Sequence, residues 1–236
     1  MTDSIIDQAI ALVRDANGVG LELRLLGSVA VTIVTGSDTE ARPAAIKDID
    51  VISARLQQAR VQDFLGQRGW EVVSDLLLLS ESRETYFSKA HHFSIDLYYD
   101  GISGNHWLGL EKRLTLSYPT ITAIDLILSK LQRCRQRPQD RWDLDALLGE
   151  QLSRDDFAYF QHKVCGDWGL WMTATQNLIE SLASHRQFLC ANRERLLREA
   201  LLGPKTFSWI LRSLIGKRLK WWSDMYDTEI RAREDN

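Results

Sequence analysis

Asp48 and Asp50 stand one residue apart in "KDIDVIS", inside a run that otherwise reads as a buried strand. Side chains alternate along a strand, so the two carboxylates share a face while Ile49 and Val51 take the other. A later run, "HFSIDLYYD", repeats the arrangement, with Phe93, Ile95, Leu97 and Tyr99 on one face and Asp96 on the opposite one. If these strands are neighbours, three carboxylates meet on one patch and raise one another's pKa. A hard divalent cation such as Mg²⁺ relieves that repulsion, taking oxygen ligands and keeping positions for water or phosphate. Two such ions form a clamp for in-line phosphoryl transfer. The competing expectation is structural: Asp48 caps the preceding loop and Asp50 pairs with Arg or Lys.

Upstream, "LELRLLGSVAV" reads as a strand that ends at Gly27-Ser28 and passes into a helix. Such a junction presents backbone N–H groups and a hydroxyl at a helix N-terminus. Glycine lets the backbone approach closely, and the helix end favours phosphate. Gly-Ser after a strand is by itself only a turn signal. Combined with Asp-x-Asp and a later strand aspartate, it points to phosphate chemistry.

The combination resembles the nucleotidyltransferase superfamily related to DNA polymerase beta, whose pattern is apolar-Gly-Ser, Asp-x-Asp and a third acid on a later strand. Within it, the chain looks most like the abortive-infection type of nucleotidyltransferase toxin and its uncharacterised relatives. There a helical domain carries a lysine and then a Lys/Arg-Asp-x-x-Asp-hydrophobic stretch. Here "DLILSKLQRCRQRPQDRWDLDALL" supplies Lys130, Asp140 and Asp143. The resemblance covers roughly residues 20 to 150. The interval between Gly-Ser and Asp-x-Asp is longer than in minimal members, suggesting an inserted loop at "TGSDTEARPAA". Where the family often has Arg four residues before the first Asp, this chain has Ala44, and Arg42 is the nearby substitute.

The second pattern also stands on its own residues. On a helix starting near Gln139, Asp140, Asp143, Leu144 and Leu147 fall on one side. Two acids beside an apolar stripe need a partner. Lys130 flanks the stripe of the preceding helix (Ile121, Ile124, Leu128, Leu131) and is placed to reach them. A structural Lys–Asp bridge and a lysine that contacts a triphosphate both remain open at this point.

The elements that must position these groups divide the chain. The N-terminal "MTDSIIDQAIALVRDANG" has helical apolar spacing, with Ser4 as its cap. After "LELRLLG" and "KDIDVIS" come a helix, "ARLQQARVQDFLGQRG", and three further strands, "WEVVSDLLLLS", "ETYFSKA" and "HFSIDLYYDG". Residues 1–118 thus read as an α/β (α+β) mixed-sheet domain. From Pro119 the helical period dominates, in "TITAIDLILSKLQRC", "DRWDLDALLGEQL", "WMTATQNLIESLASHRQFL" and "TFSWILRSLIGKRLKWWSDMYDTEIRARE". Residues 119–236 therefore read as an all-helical domain sharing a packed interface with the first.

Composition sets outer bounds. The 236 residues are 44% hydrophobic and 26% charged, as in ordinary globular proteins, and the net charge of −3 gives no global pull toward nucleic acid or membrane. No apolar run approaches the ~20 residues of a membrane span. Asp3 stands where an export signal would carry Lys or Arg, so a cytoplasmic location and no membrane are expected. Cys134, Cys165 and Cys190 lack metal-ligand spacing and are expected as thiols.

Other features weigh less. His91 and His92 are adjacent, point to opposite sides of any strand and are expected to be loop-exposed. Ser28 has no recognisable His-Asp arrangement around it in the sequence, so a serine-hydrolase reading finds no support there. The eight tryptophans are expected at cores and interfaces. Residues 193–220 carry Arg193, Arg195, Arg198, Lys205, Arg212, Lys217, Arg218 and Lys220 against Glu194 and Glu199. Such a surplus suits an RNA backbone or a solvated helix face.

The resemblance implies a nucleotidyltransferase that moves an NMP from an NTP such as ATP to an acceptor hydroxyl on RNA, protein or a small molecule. Asp48, Asp50 and Asp96 would hold Mg²⁺ (or Mn²⁺), with Asp96 also helping to deprotonate the acceptor. Gly27, Ser28, Lys130 and Asp143 would bind nucleotide. A toxin with a cognate antitoxin, an antibiotic-modifying enzyme and a non-catalytic binding module of the same fold are the further readings.

Overall fold

The computed structural model describes residues 4–73, 83–184 and 191–223. Cys190, residues 74–80 of the expected "WEVVSDLLLLS" strand, and Asp224, Asp227 and Glu229 of the tail lie outside the described residues.

Helix α1, Ile5–Gly18, begins at a reciprocal cap in which Ser4 Oγ accepts from the Asp7 N–H at 3.2 Å. Its buried face of Ala9, Val13 and Ala16 packs on the sheet region. Strand β1, Arg24–Leu26, is only three residues long and passes directly into α2, Gly27–Thr35. The expected loop follows, leading into β2, Asp48–Ser53. A 3₁₀ turn then precedes α3, Gln58–Gly66, which stops three residues short of Gly69. Strands β3 (Glu71–Val72), β4 (Arg83–Phe87) and β5 (Ser94–Tyr99) complete a mixed five-stranded sheet in the order β1-β2-β5-β4-β3. A small hairpin of β6, Gly101–Ser103, and β7, Trp107–Gly109, follows.

From residue 119 the regular structure among the described residues is helical. It comprises α4 (Ala123–Leu131), α5 (Pro138–Leu148), α6 (Arg154–Gly166), α7 (Trp168–Ser184), α8 (Ala191–Leu202) and α9 (Phe207–Ile215). Pro119–Ile121 runs beside β1, exchanging backbone hydrogen bonds with Leu25 at 2.9 and 3.0 Å. One hydrophobic cluster crosses the expected boundary, joining Leu25, Val51 and Leu97 to Leu126, Leu144, Phe160 and Leu196. No helix among the described residues is long and apolar enough to cross a membrane.

Candidate active site

The sheet register settles which acids meet. Strand β2 pairs in parallel with β5, and Asp50 stands directly opposite Asp96. Burial alternates along both strands, with Ile49, Val51, Ile95 and Leu97 in the core, so the acids share the face turned away from it. On the other side of β2, Leu26 of β1 pairs with Asp50. The next residue, Gly27, therefore begins α2 immediately beside the Asp50 carboxylate.

Gly27 has φ +66°, and a Cβ there would lie 2.7 Å from Asp50 Cγ, so both its backbone angle and its lack of a side chain are required. The N-terminus of α2 has no side-chain cap, because its N-cap is Leu26. Its first N–H groups are available to an anion, and the helix end favours one.

Asp50 is the most perturbed acid of the site. Burial, then the charges of Asp48 and Asp96, push its carboxyl up to about 8, against weaker pulls from Lys130 and Arg133. No hydrogen-bond donor among the described residues reaches it. Asp96 is held differently. Thr85 Oγ1 donates to Asp96 Oδ1 at 2.6 Å, and Arg83 Nη1 lies 3.7 Å from Asp96 Oδ2. Both partners come from β4, where Thr85 is in register with Asp96, and Arg83 with Tyr98.

The three acids thus share a face without converging. Among the described residues no group of three His, Cys, Asp or Glu side chains is gathered tightly enough for a ready-made metal cage. The physical reason is visible at Asp96, whose two oxygens are already turned toward Thr85 and Arg83. The donor set still fits a hard cation. All three groups are carboxylates, and no Lys or Arg among the described residues pairs directly with Asp50.

Ser28, Arg42, Lys130, Asp140 and Asp143 form a second constellation around the N-terminus of α2. Lys130, near the end of α4, reaches Asp143 Oδ2 at 2.7 Å and Asp140 Oδ1 at 3.3 Å on α5. Arg42, from the loop before β2, clamps Asp143 through Nε at 2.9 Å and Nη2 at 3.1 Å. The same Nη2 donates to Ser28 Oγ at 2.7 Å, and Ser28 Oγ donates to Asp143 Oδ2 at 3.3 Å. Arg133 Nη1 and Arg137 Nε each lie 3.3 Å from Asp140 Oδ2.

Burial alone would raise Asp143, yet Arg42 and Lys130 hold its carboxyl below the usual range. Lys130, Arg133 and Arg137 likewise hold Asp140 down against its burial. Lys130 is only 4% exposed, so its ammonium serves these carboxylates rather than solvent. The bridge between helices is therefore formed. Ser28 shares its hydroxyl with Arg42 and Asp143.

Arg83 and Thr85 are the site residues that sequence reasoning passed over. The only signal was period-two alternation in "RETYF", and nothing in it says which strand lies alongside. His91, expected to be loop-exposed, is instead half-buried and stacks on Trp70 at 4.8 Å. Cys134 and Cys165 are free thiols.

The basic stretch is partly consumed inside the fold. Arg193 is 3% exposed and pairs with Asp145. Lys205 Nζ donates to the Ala200 and Gly203 carbonyls at 2.6 and 3.0 Å, and Arg212 donates to the Gly216 and Leu219 carbonyls at 2.8 and 3.0 Å. Arg212 also helps to line a cleft of about 490 Å³ with His106, Trp168, Trp209, Trp221 and Trp222. Trp168 meets Trp221, and Trp171 meets Trp209, edge to face across neighbouring segments.

No family model matches the chain, and no curated protein matches it. Three solved structures are similar to it. A lincosamide antibiotic adenylyltransferase, LnuA, with lincomycin bound, is 13% identical, with a TM-score of 0.46 over 61% of this chain and 98% of that one. An antigenic nucleotidyltransferase-like protein from Paracoccidioides brasiliensis is 12% identical, with a TM-score of 0.47 over 89% of this chain and 98% of that one. A tRNA-processing enzyme in an apo form is 11% identical, with a TM-score of 0.30 over 92% of this chain and 64% of that one. Likeness at these levels assigns no activity or substrate to the chain, which rests on its own residues.

Proposed function

We propose that this chain is a nucleotidyltransferase that transfers an NMP from an NTP to an acceptor hydroxyl. The observation that carries this reading is the Asp50–Asp96 pair, set in register on one face, with the N-terminus of α2 abutting it at Gly27. Carboxylates and an anion-binding helix end are of opposite preference. A bound nucleotide triphosphate with a divalent cation reconciles them, because its phosphates suit the helix end and its metal suits the acids.

Asp50 and Asp96, together with Asp48, would hold Mg²⁺ or Mn²⁺. Bound there, the ion would supply charge neutralisation for displacement at the α-phosphate. The backbone N–H groups at the start of α2 bind the outer phosphates, and Gly27 lets them come close. Asp143, fixed by Arg42 and Lys130, orients Ser28 and so holds that end of α2 in place. Lys130 and Asp143 are accordingly positioning residues. Asp96 accepts the proton of the acceptor hydroxyl, whose oxygen attacks the α-phosphate as pyrophosphate leaves.

The test is incubation with each α-labelled NTP, Mg²⁺ and a cell extract, with Asp50→Asn alongside. Label should pass to RNA, protein or a small molecule only with the wild type. Transfer to RNA would rest on the surface remainder of the 193–220 cations, and transfer to a small molecule would favour antibiotic-type modification. A toxin role adds the expectation that expression arrests growth in an Asp50-dependent way. A non-catalytic module would bind NTP and transfer nothing, and that outcome would sink the proposal.

A further inference from the structure

Arg83 has no part in the chemistry set out above, yet among the described residues it is the cation paired with Asp96. It enters the acid face from β4, with its side chain 21% exposed, and lies 3.7 Å from Asp96 Oδ2. Its guanidinium is also coupled to the side chain of Tyr98, two residues beyond Asp96 on the same face of β5. Asp50 and Asp96 both act electrostatically on it.

The two oxygens of Asp96 are divided between different kinds of partner. Thr85 fixes Oδ1 through a 2.6 Å hydrogen bond, and Arg83 faces Oδ2 at a longer distance. A hydroxyl donor orients a carboxylate without competing for its charge. A guanidinium does compete, since a divalent cation ligated at about 2 Å by Oδ2 would place like charge against it. Tyr98 gives the guanidinium a second anchor on the strand away from Asp96, so Arg83 can leave Oδ2 without losing every partner.

We infer that Arg83 is a resident countercharge of the Asp50–Asp96 pair, displaced onto its Tyr98 anchor when a divalent cation enters, so that it sets the affinity of the site for metal. The inference rests on the nucleotidyltransfer reading in one respect only, that a divalent cation binds this pair. It assigns to Arg83 a role that tunes metal loading rather than one that touches the transferred group. The design keeps the acids paired at low metal and makes loading depend on metal concentration.

Two measurements test it on the full chain. Titration with Mn²⁺, followed by calorimetry and by the shift in melting temperature, should show Arg83→Gln binding severalfold more tightly than the wild type. Arg83→Lys, which keeps the charge, should stay within about twofold of the wild type. In the wild type alone, Mn²⁺ should increase phenylglyoxal labelling of Arg83, read by mass spectrometry, because the guanidinium comes away from Asp96. Equal or weaker Mn²⁺ affinity in Arg83→Gln, or labelling unchanged by Mn²⁺, overturns the inference. Asp50→Asn separates this failure from failure of the function. If wild type binds Mn²⁺, Asp50→Asn does not, and Arg83→Gln matches wild type, the nucleotidyltransfer reading stands and only the Arg83 role falls. If no variant binds Mn²⁺ even with NTP present, both fall together.

Discussion

Asp50 concentrates the electrostatic cost of the site, and that cost has a definite sign. Its folded pKa, about 8, lies above the ordinary value of 3.8, so between those two pH values the folded state holds a proton that the unfolded chain has lost. Unfolding then releases protons, and metal-free stability should fall as pH rises from about 4 to 8 through this group. Asp50→Asn should flatten that slope and raise metal-free stability at pH 8, seen in denaturant melts with chelator present. Mg²⁺ should raise the melting temperature of the wild type and leave the variant nearly unmoved. Identical slopes and identical metal responses would identify Asp50 as an ordinary buried acid. Gly27 gives a second residue-level test. Gly27→Ala places a methyl against Asp50 at a positive φ, so it should cost about 1–3 kcal/mol and weaken NTP binding more than a distant substitution of equal stability cost.

Between elements, the Lys130 bridge decides how α4 and α5 sit over the start of α2. Lys130 neutralises two acids that are both buried, so Lys130→Met leaves Asp140 and Asp143 with their arginine partners alone. The loss should be about 3–5 kcal/mol in urea melts, the scale for breaking a buried ion pair. NTP affinity, measured where the variant is still folded, should fall much less than for Gly27→Ala. The reverse ranking would return Lys130 to direct contact with the triphosphate. Asp140 and Asp143 also make an acid-sensitive joint. Their folded pKa values lie below the ordinary carboxylate value, so their stabilisation is complete above it and is lost as pH falls through the lowered values. Acid unfolding below about pH 4 should therefore be blunted in a double Asp140→Asn, Asp143→Asn variant, which begins from lower stability at neutral pH.

At the scale of the molecule, the 193–220 cations do not act as one set. Arg193, Lys205 and Arg212 are bound internally, while Lys217 and Arg218 are exposed. Charge reversal at Lys217 and Arg218 should leave the fold unchanged, and reversal at Arg193 should destabilise it by breaking the pair with Asp145. RNA retention compared at two salt concentrations should show a shallow slope, lowered further by the Lys217 and Arg218 reversals. A steep slope lost on reversal would make an RNA acceptor the leading candidate.

The alternation in "KDIDVIS" and "HFSIDLYYD" set the faces of Asp48, Asp50 and Asp96 before any strand pairing was known, because side-chain direction in a strand is a local property with period two. The Ser4 cap of α1 and the apolar stripes of α1, α4 and α5 were legible for the same reason, since they depend on residues within a few positions of each other. Helices α6 and α8 and the β6–β7 hairpin were not singled out, because they are short or weakly patterned and gain their stability from neighbours. Only the tertiary structure placed β5 beside β2 in a register that sets Asp96 against Asp50. It also brought Arg42 across 101 positions of chain to Asp143, and set Arg83 and Thr85 on the two oxygens of Asp96. Those pairings join segments far apart in the chain. Packing of the whole core selects them, and no local pattern of residues encodes them.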